Sequence, residues 1–278
     1  MPTPLVFAGL PDDSQSSYRR GAARAPASIR SAYDGRRFNS TTESGMDLEK
    51  AVTDLGDLPC EKSWLETARG YRRFTESLLR EPKIPFFAGG DHAVTVPVVE
   101  ALALLDLPIH VIQMDAHPDL YPEFEGSRSS HACVAARLLE MKHVASLSQL
   151  GIRTMNADQK AIADQYGDRL WVQTARRLPG PIPQPPQIPE GAAVYLTVDL
   201  DAFDPAFAPG VSHPVPGGLT PRQALNFIQD AAWRLIAMDA VEINPSLDRN
   251  NCTAVLGARL LHEGMGLARR QSDPDRFL

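Results

Sequence analysis

The sequence predicts an α/β fold in which a mainly parallel sheet is covered by helices. Short apolar runs alternate with longer amphipathic segments along the chain, the pattern that strand–helix units produce. Strongly polar residues collect just after several of the apolar runs, where open parallel sheets place their ligands. With 278 residues, 43% of them hydrophobic and 22% charged, the chain can bury a large core in water.

Seven apolar runs read as strands: PLVFAGL (4–10), IPFFAG (84–89), PIHVIQMD (108–115), SLSQLGI (146–152), RLWVQ (169–173), AVYLTVD (193–199) and IAMDAVEIN (236–244). Helices are expected between them. WLETARGYRRFTESLLR (64–80) has apolar residues at helical spacing, and CVAARLLEMK (133–142) follows a polar turn. TPRQALNFIQDAAWRL (220–235) opens with a threonine cap and a proline in the first turn. LPGPIPQPPQIPEG (178–191) holds six prolines and is neither helix nor central strand. Strand–helix alternation resumes unchanged after it, so it reads as a stiff surface connection within one domain spanning 1–278.

The formal net charge of −6 argues against nucleic acid or an anionic membrane as partner and suits a small cationic substrate. The N-terminus MPTPLVFAGLPDD lacks the pattern of a signal peptide, and no window approaches 18 uninterrupted apolar residues. Cys60, Cys133 and Cys252 are scattered and form no CxxC, as expected of reduced thiols in a cytoplasmic protein. The tail RRQSDPDRFL (269–278) is polar and has no assigned role.

Four strand ends carry the chemistry. FFAGGDH places Asp91 and His92 after one strand, with Gly89 and Gly90 allowing close backbone approach. VIQMDAHPD places Asp115, His117 and Asp119 after the next, YLTVDLDAFDP places Asp199, Asp201 and Asp204 after a third, and MDAVEINP places Glu242 after a fourth. Residues two apart in an extended chain share a face, so Asp115 and His117 converge, as do Asp199 and Asp201, and Pro118 bends Asp119 back toward them. A lone Asp at a strand end is usually a turn former and a lone His usually structural. Several carboxylates gathered together, however, repel one another unless cations neutralise them. Imidazole and carboxylate without thiolate point to a hard, high-coordinate ion; Mn²⁺ fits best, with Fe²⁺, Co²⁺ and Ni²⁺ as alternatives. A pair of such ions around one water would make hydroxide available near neutrality, which is the chemistry of hydrolysis.

At these residues the sequence resembles the ureohydrolase family of arginases, agmatinases and related amidinohydrolases. The matching segments are GGDH (89–92), DAHPD (115–119), VDLDAFDPAFAPG (198–210) and VEINP (241–245), and GLPDDSQSSYRRGAARAPASIR (9–30) resembles the family's N-terminal segment. FEGSRSSHACVAARLLE (124–140) and DPAFAPGVSHPVPGGLT (204–220) look most like the plant-type arginase/agmatinase branch and its bacterial relatives. The resemblance implies a three-layer α/β/α fold and two Mn²⁺ ions. One ion would be held by His92, Asp115, Asp119 and Asp199, the other by Asp115, His117, Asp199 and Asp201. Asp204 belongs to the motif with less weight, since a D-P turn explains it.

The same resemblance gives Glu242 the substrate guanidinium, a planar fork of donors suited to a carboxylate. It makes His131 a proton shuttle to the leaving amine, alongside Asp119. His213, in GVSHP, is expected to serve the fold of its loop. SHAC stands where many members have HG, Ala93 stands where a serine is common, and Leu200 and Phe203 replace smaller or different residues.

The products would be urea and a primary amine. The loop LYPEFEGSRSS (120–130) is expected to reach the far end of the substrate through Ser127, Ser130 and Arg128, where Glu123 and Glu125 disfavour a carboxylate. Agmatine is therefore expected ahead of arginine, with guanidinobutyrate as a third option. A two-metal phosphoesterase would carry basic residues in these clusters, and they contain none. The non-enzyme alternative is an inactive binding or regulatory homologue. The family also implies a homo-oligomer, a trimer or hexamer.

Overall fold

The structure, a computed structural model, describes residues 3–272. One eight-stranded sheet runs through it, and every strand pairing is parallel. In chain order the strands are β1 (Leu5–Leu10), β2 (Val52–Asp57), β3 (Ile84–Gly89), β4 (Ile109–Met114), β5 (Val144–Ile152), β6 (Leu170–Thr174), β7 (Ala193–Asp199) and β8 (Arg234–Val241). Their spatial order is β2-β1-β3-β8-β7-β4-β5-β6. The helices among the described residues are α1 (Ala25–Ala32), α2 (Trp64–Leu79), α3 (Thr95–Ala101), α4 (Val134–Glu140), α5 (Ala157–Gln165), α6 (Pro221–Gln229) and α7 (Cys252–Ser272).

The strand period of two divides the core into two slabs. Leu5 and Phe7 of β1, Phe86 of β3 and Leu196 of β7 pack against α1, α6 and α7. Val6 and Ala8 of β1, Phe87 of β3 and Tyr195 of β7 face α2, α3 and α4. Helices on both faces make the three layers expected. Each fully buried phenylalanine, Phe86 and Phe87 among them, contributes about 1.5–3 kcal/mol by leaving water.

Several expected boundaries need correction. The helix expected over 220–235 ends at Gln229, because Leu235 and the residues after it belong to β8. No Gly or Pro between Gln229 and Arg234 marks the stop. Its start is as expected: the Thr220 side chain accepts from the Gln223 N–H, Gln223 returns to the Thr220 N–H, and Pro221 follows. The strand expected over 236–244 ends at Val241, because Glu242 adopts a left-handed φ of 63°. The proline-rich segment 178–191 forms no helix or strand, yet it is anchored by buried Leu178 and Ile182. Part of the polar tail, from residue 273, lies outside the described residues.

β2, α1, α3, α5 and α7 were not anticipated. β2 is an edge strand whose sequence, VTDLGD, offers little apolar signal. The 21-residue α7 carries Gly257, Gly264 and Gly266, which lower helix propensity. Those glycines face Ile243, Met238 and Thr42 so closely that a Cβ would collide, so they permit the tight packing of α7.

Candidate metal centre

The four strands whose ends carry the polar clusters lie side by side as β3-β8-β7-β4. Parallel pairing brings all four carboxyl ends to one edge. After β3, the Asp91 N–H donates to the Asp12 carbonyl at 2.9 Å, and a Cβ at Gly90 would overlap the Asp12 backbone. Gly90 therefore serves close approach, as expected. The Asp91 carboxylate accepts from the N–H groups of Ala93 (3.1 Å) and Gln15 (2.8 Å), opening the short turn that carries His92.

The other ligands converge, but not through the extended-chain period. β4 stops at Met114, and Asp115 bends the chain by accepting from the His117 N–H at 2.6 Å. β7 stops at Asp199, which accepts from the Asp201 N–H at 2.8 Å. Both are Asx-type turns. Asp119, after Pro118, adopts a left-handed φ of 48°. Left-handed non-glycine residues cost about 1–3 kcal/mol and cluster at functional sites, and Asp119 and Glu242 are both here.

His92 Nδ1 lies 3.2 Å from Asp115 Oδ2, 3.1 Å from Asp119 Oδ2 and 3.5 Å from Asp199 Oδ2. His117 Nδ1 lies 2.9 Å from Asp201 Oδ2 and 3.6 Å from Asp115 Oδ1. Two groups can hold a metal, His92–Asp115–Asp199 and Asp115–His117–Asp201, with the ligand atoms of each within 4.8 Å of one another. Asp115 belongs to both. His92 Nδ1 is buried without a hydrogen-bond partner, and the outer nitrogen Nε2 is 3.0 Å from Thr197 Oγ1. An orphaned imidazole nitrogen aimed into three carboxylates fits a metal ligand. The outer hydroxyl comes from Thr197, so Ala93 leaves His92 supported.

Electrostatics supports the same fit. Burial, then Asp201 and Asp115, push the Asp199 carboxyl well above its usual range. Burial and Asp115 push Asp119 up to about 6. Burial disfavours charge on His117, but Asp201 and Asp115 outweigh it and raise the imidazole to about 12. Without cations these carboxylates cannot all ionise side by side. Divalent ions would let them.

Beside the ligands lies a cleft of about 220 Å³, whose wall includes Glu242 and His131. Glu242 Oε1 is 2.8 Å from His131 Nδ1 and accepts from the His92 N–H at 2.9 Å. At His131 Nε2, Ser17 presents its hydroxyl at 2.8 Å and its N–H at 3.2 Å. Ser17 thus offers an acceptor to the protonated ring and a donor to the neutral one. Burial lowers the His131 imidazole, but Glu242 outweighs it and raises it to about 9.

The remaining expectations divide. Ser127, Arg128 and Ser130 are not brought to the cleft. Arg128 Nη2 donates to Glu140 at 3.0 Å, the Ser130 side chain caps the Ala132 N–H, and Ser127 Oγ accepts from the Ser129 N–H. Ser17, Tyr121, Phe124, Thr154, Gln159 and His213 line the cleft instead. Ser17 lies in the 9–30 segment singled out for its resemblance, whereas no local signal marked Thr154 or Gln159. Asp204 accepts from the N–H groups of Ala206 (2.9 Å) and Gly217 (2.7 Å), which identifies it as a turn former. Leu200 and Phe203 are buried packing residues. His213 does more than shape its loop: its ring lies 5.2 Å from that of His131 and 5.8 Å from that of His117. A larger cavity of about 640 Å³, near Tyr33, Phe38 and His262, contains neither metal-ligating group.

Comparison with known proteins gives the same lineage. The family model described as the Arginase family matches residues 3–266. The chain belongs to the arginase family. It is therefore a hydrolase of the ureohydrolase type. "Arginase 1, mitochondrial" of Arabidopsis thaliana is 36% identical over 267 residues, covering 92% of this chain and 78% of that protein. "Agmatinase, mitochondrial" of Gallus gallus is 32% identical over 271 residues, covering 93% and 79%. The solved arginase from Medicago truncatula superposes with a TM-score of 0.86 at 33% identity, covering 96% of this chain and 87% of that one. Arginases and an agmatinase thus match at similar identity. No helix among the described residues is long and apolar enough to cross a membrane.

Proposed function

We propose that this family member is a binuclear manganese amidinohydrolase that cleaves agmatine to putrescine and urea. The observation carrying this reading is that Asp199 of one metal-ligating group, His117 and Asp201 of the other, and Glu242 line one cleft. His92, Asp115, Asp119 and Asp199 would hold one ion, and Asp115, His117, Asp199 and Asp201 the other. Bound there, the pair would lower the pKa of a shared water enough to supply hydroxide near neutral pH.

The chain's own groups do the rest. Glu242 Oε1 is engaged by His92 and His131, which leaves Oε2 for a guanidinium N–H donor. Asp119 and His131, whose imidazole Glu242 holds up to about 9 against burial, line the cleft and would hand a proton to the departing alkyl nitrogen. Ser17 keeps the His131 ring in place through either protonation state.

Substrate choice follows from what lines the cleft. No Lys or Arg side chain lines it among the described residues. Arg153, the nearest candidate in sequence, is committed to the carbonyls of Asp201 (2.7 Å) and Val215 (2.7 Å). Without a paired cation, burial of arginine's carboxylate would leave it with neutral donors alone, and an imperfectly satisfied carboxylate costs more than an unsatisfied neutral group, for which the cost is about 1–3 kcal/mol. The 36% identity to a plant arginase favours arginine as the second reading. Urea release from agmatine, arginine and guanidinobutyrate, each with added Mn²⁺, decides between them. The kcat/KM for agmatine is expected to exceed the others by at least about tenfold; a preference for arginine would replace this assignment with arginase.

Free Cys60, Cys133 and Cys252 support a reducing, cytoplasmic setting. Family membership supports a homo-oligomer, a trimer or hexamer, which sedimentation would read.

A further inference from the structure

Beneath the metal ligands lies a second polar cluster that the proposed chemistry does not use. Thr95, Tyr195, Thr197 and Asp239 are all buried at 0% exposure. Asp239 is on β8, in register with Phe87 of β3 and Thr197 of β7, and forms no salt bridge with Lys or Arg among the described residues. A carboxylate in such a place costs several kcal/mol unless hydrogen bonds satisfy it. Its presence calls for a role.

The hydrogen-bond directions give one. Asp239 Oδ2 accepts from Thr95 Oγ1 at 2.6 Å and from Tyr195 Oη at 2.5 Å. A hydroxyl has one hydrogen. Thr95 spends that hydrogen on Asp239, so in its 3.4 Å contact with Thr197 Oγ1 it accepts. When Thr197 gives its single hydrogen to this side, it accepts from His92 Nε2 across their 3.0 Å contact. In that arrangement the chain runs from His92 through Thr197 and Thr95 to Asp239. Asp239 Oδ1 is buried without a partner. Burial raises this carboxyl, but a proton on Oδ1 would leave both hydroxyl bonds to Oδ2 in place.

We propose that Asp239 is a positioning residue for the metal centre: acting through Thr95 and Thr197, it keeps the His92 proton on Nε2 and leaves the Nδ1 lone pair facing Asp115, Asp119 and Asp199. The inference rests on the reading of His92 as a metal ligand and is independent of the substrate. Asp239 touches no ligand, and its effect is to exclude the tautomer that cannot bind metal.

Calorimetric titration with Mn²⁺ alone tests it without any urea assay. Thr95→Val keeps the shape and cuts the chain; it is expected to weaken binding about 10- to 100-fold at one of the sites, the usual effect of losing a support behind a ligating histidine. Thr95→Ser, which keeps the hydroxyl, is expected to bind as the parent does. Asp239→Leu, which removes the acceptor, is expected to weaken the same site. Parental Mn²⁺ affinity in both Thr95→Val and Asp239→Leu overturns the proposal alone, as does a Thr95→Ser protein no better than Thr95→Val. A parent that binds no Mn²⁺ overturns the metal reading as well. Imidazole ¹⁵N signals of the Zn²⁺-loaded parent read the proton directly, whatever the variants do. A protonated Nε2 is expected at His92, and a protonated Nδ1 overturns the proposal.

Discussion

Asp115→Ala is expected to abolish metal loading and to lower kcat/KM for guanidine cleavage by at least about 10³-fold, beyond the loss of a single electrostatic donor. Asp115 is the residue common to both metal-ligating groups, with Oδ2 toward His92 and Oδ1 toward His117. One truncation therefore removes an oxygen from each site. It also strands two donors: Gln113 Nε2, now 2.7 Å from Oδ2, and the His117 N–H, now 2.6 Å from Oδ1. The turn that places His117 loses its closing bond as well. Metal content by elemental analysis and turnover on the same sample check the prediction. An Asp115→Ala protein that retains two equivalents of metal and full turnover would discard the shared-ligand arrangement.

The second large effect is expected for Glu242→Gln. This variant should bind Mn²⁺ as the parent does, yet lose about 10²- to 10³-fold in kcat/KM. Glu242 is held rigidly: its N–H donates to the Gly90 carbonyl at 2.8 Å and its backbone adopts the left-handed φ that ends β8. Gln has the same shape and can still accept from the His92 N–H. What it lacks is the negative charge for a cationic fork. It also relaxes the hold on His131, whose imidazole Glu242 pulls upward against burial. The pair of readouts isolates the role, because a ligand variant loses metal and a substrate-binding variant does not. Parental kcat/KM in Glu242→Gln would remove Glu242 from the substrate's path.

How much of this was legible in the sequence depends on what fixed each residue's place. IPFFAG and AVYLTVD were read with the strand limits observed, because uninterrupted apolar runs stop abruptly at Gly or Asp. The ligands after them were legible because parallel strands put their carboxyl ends on one edge whatever the loops do. Their convergence has a different local cause from the expected extended-chain period: Asx-type turns bring Asp115 to His117 and Asp199 to Asp201. β2 was missed because an edge strand needs little apolar content, and α7 because three packing glycines hide its helical pattern. The far wall of the cleft was the least legible part. Arg128 and Ser130 are near His131 in sequence, but loop backbone turns them to Glu140 and to a local cap. Ser17 reaches His131 across more than a hundred residues of chain, a contact no local pattern encodes.

Dependence of catalysis on a metal pair is read from metal content and urea release in one preparation, taken before chelation, after dialysis against a strong chelator, and after Mn²⁺ is returned. About two equivalents of metal per chain with activity are expected, with loss of both on chelation and recovery of both on adding Mn²⁺. Guanidine cleavage that continues unchanged in the metal-stripped protein would contradict it.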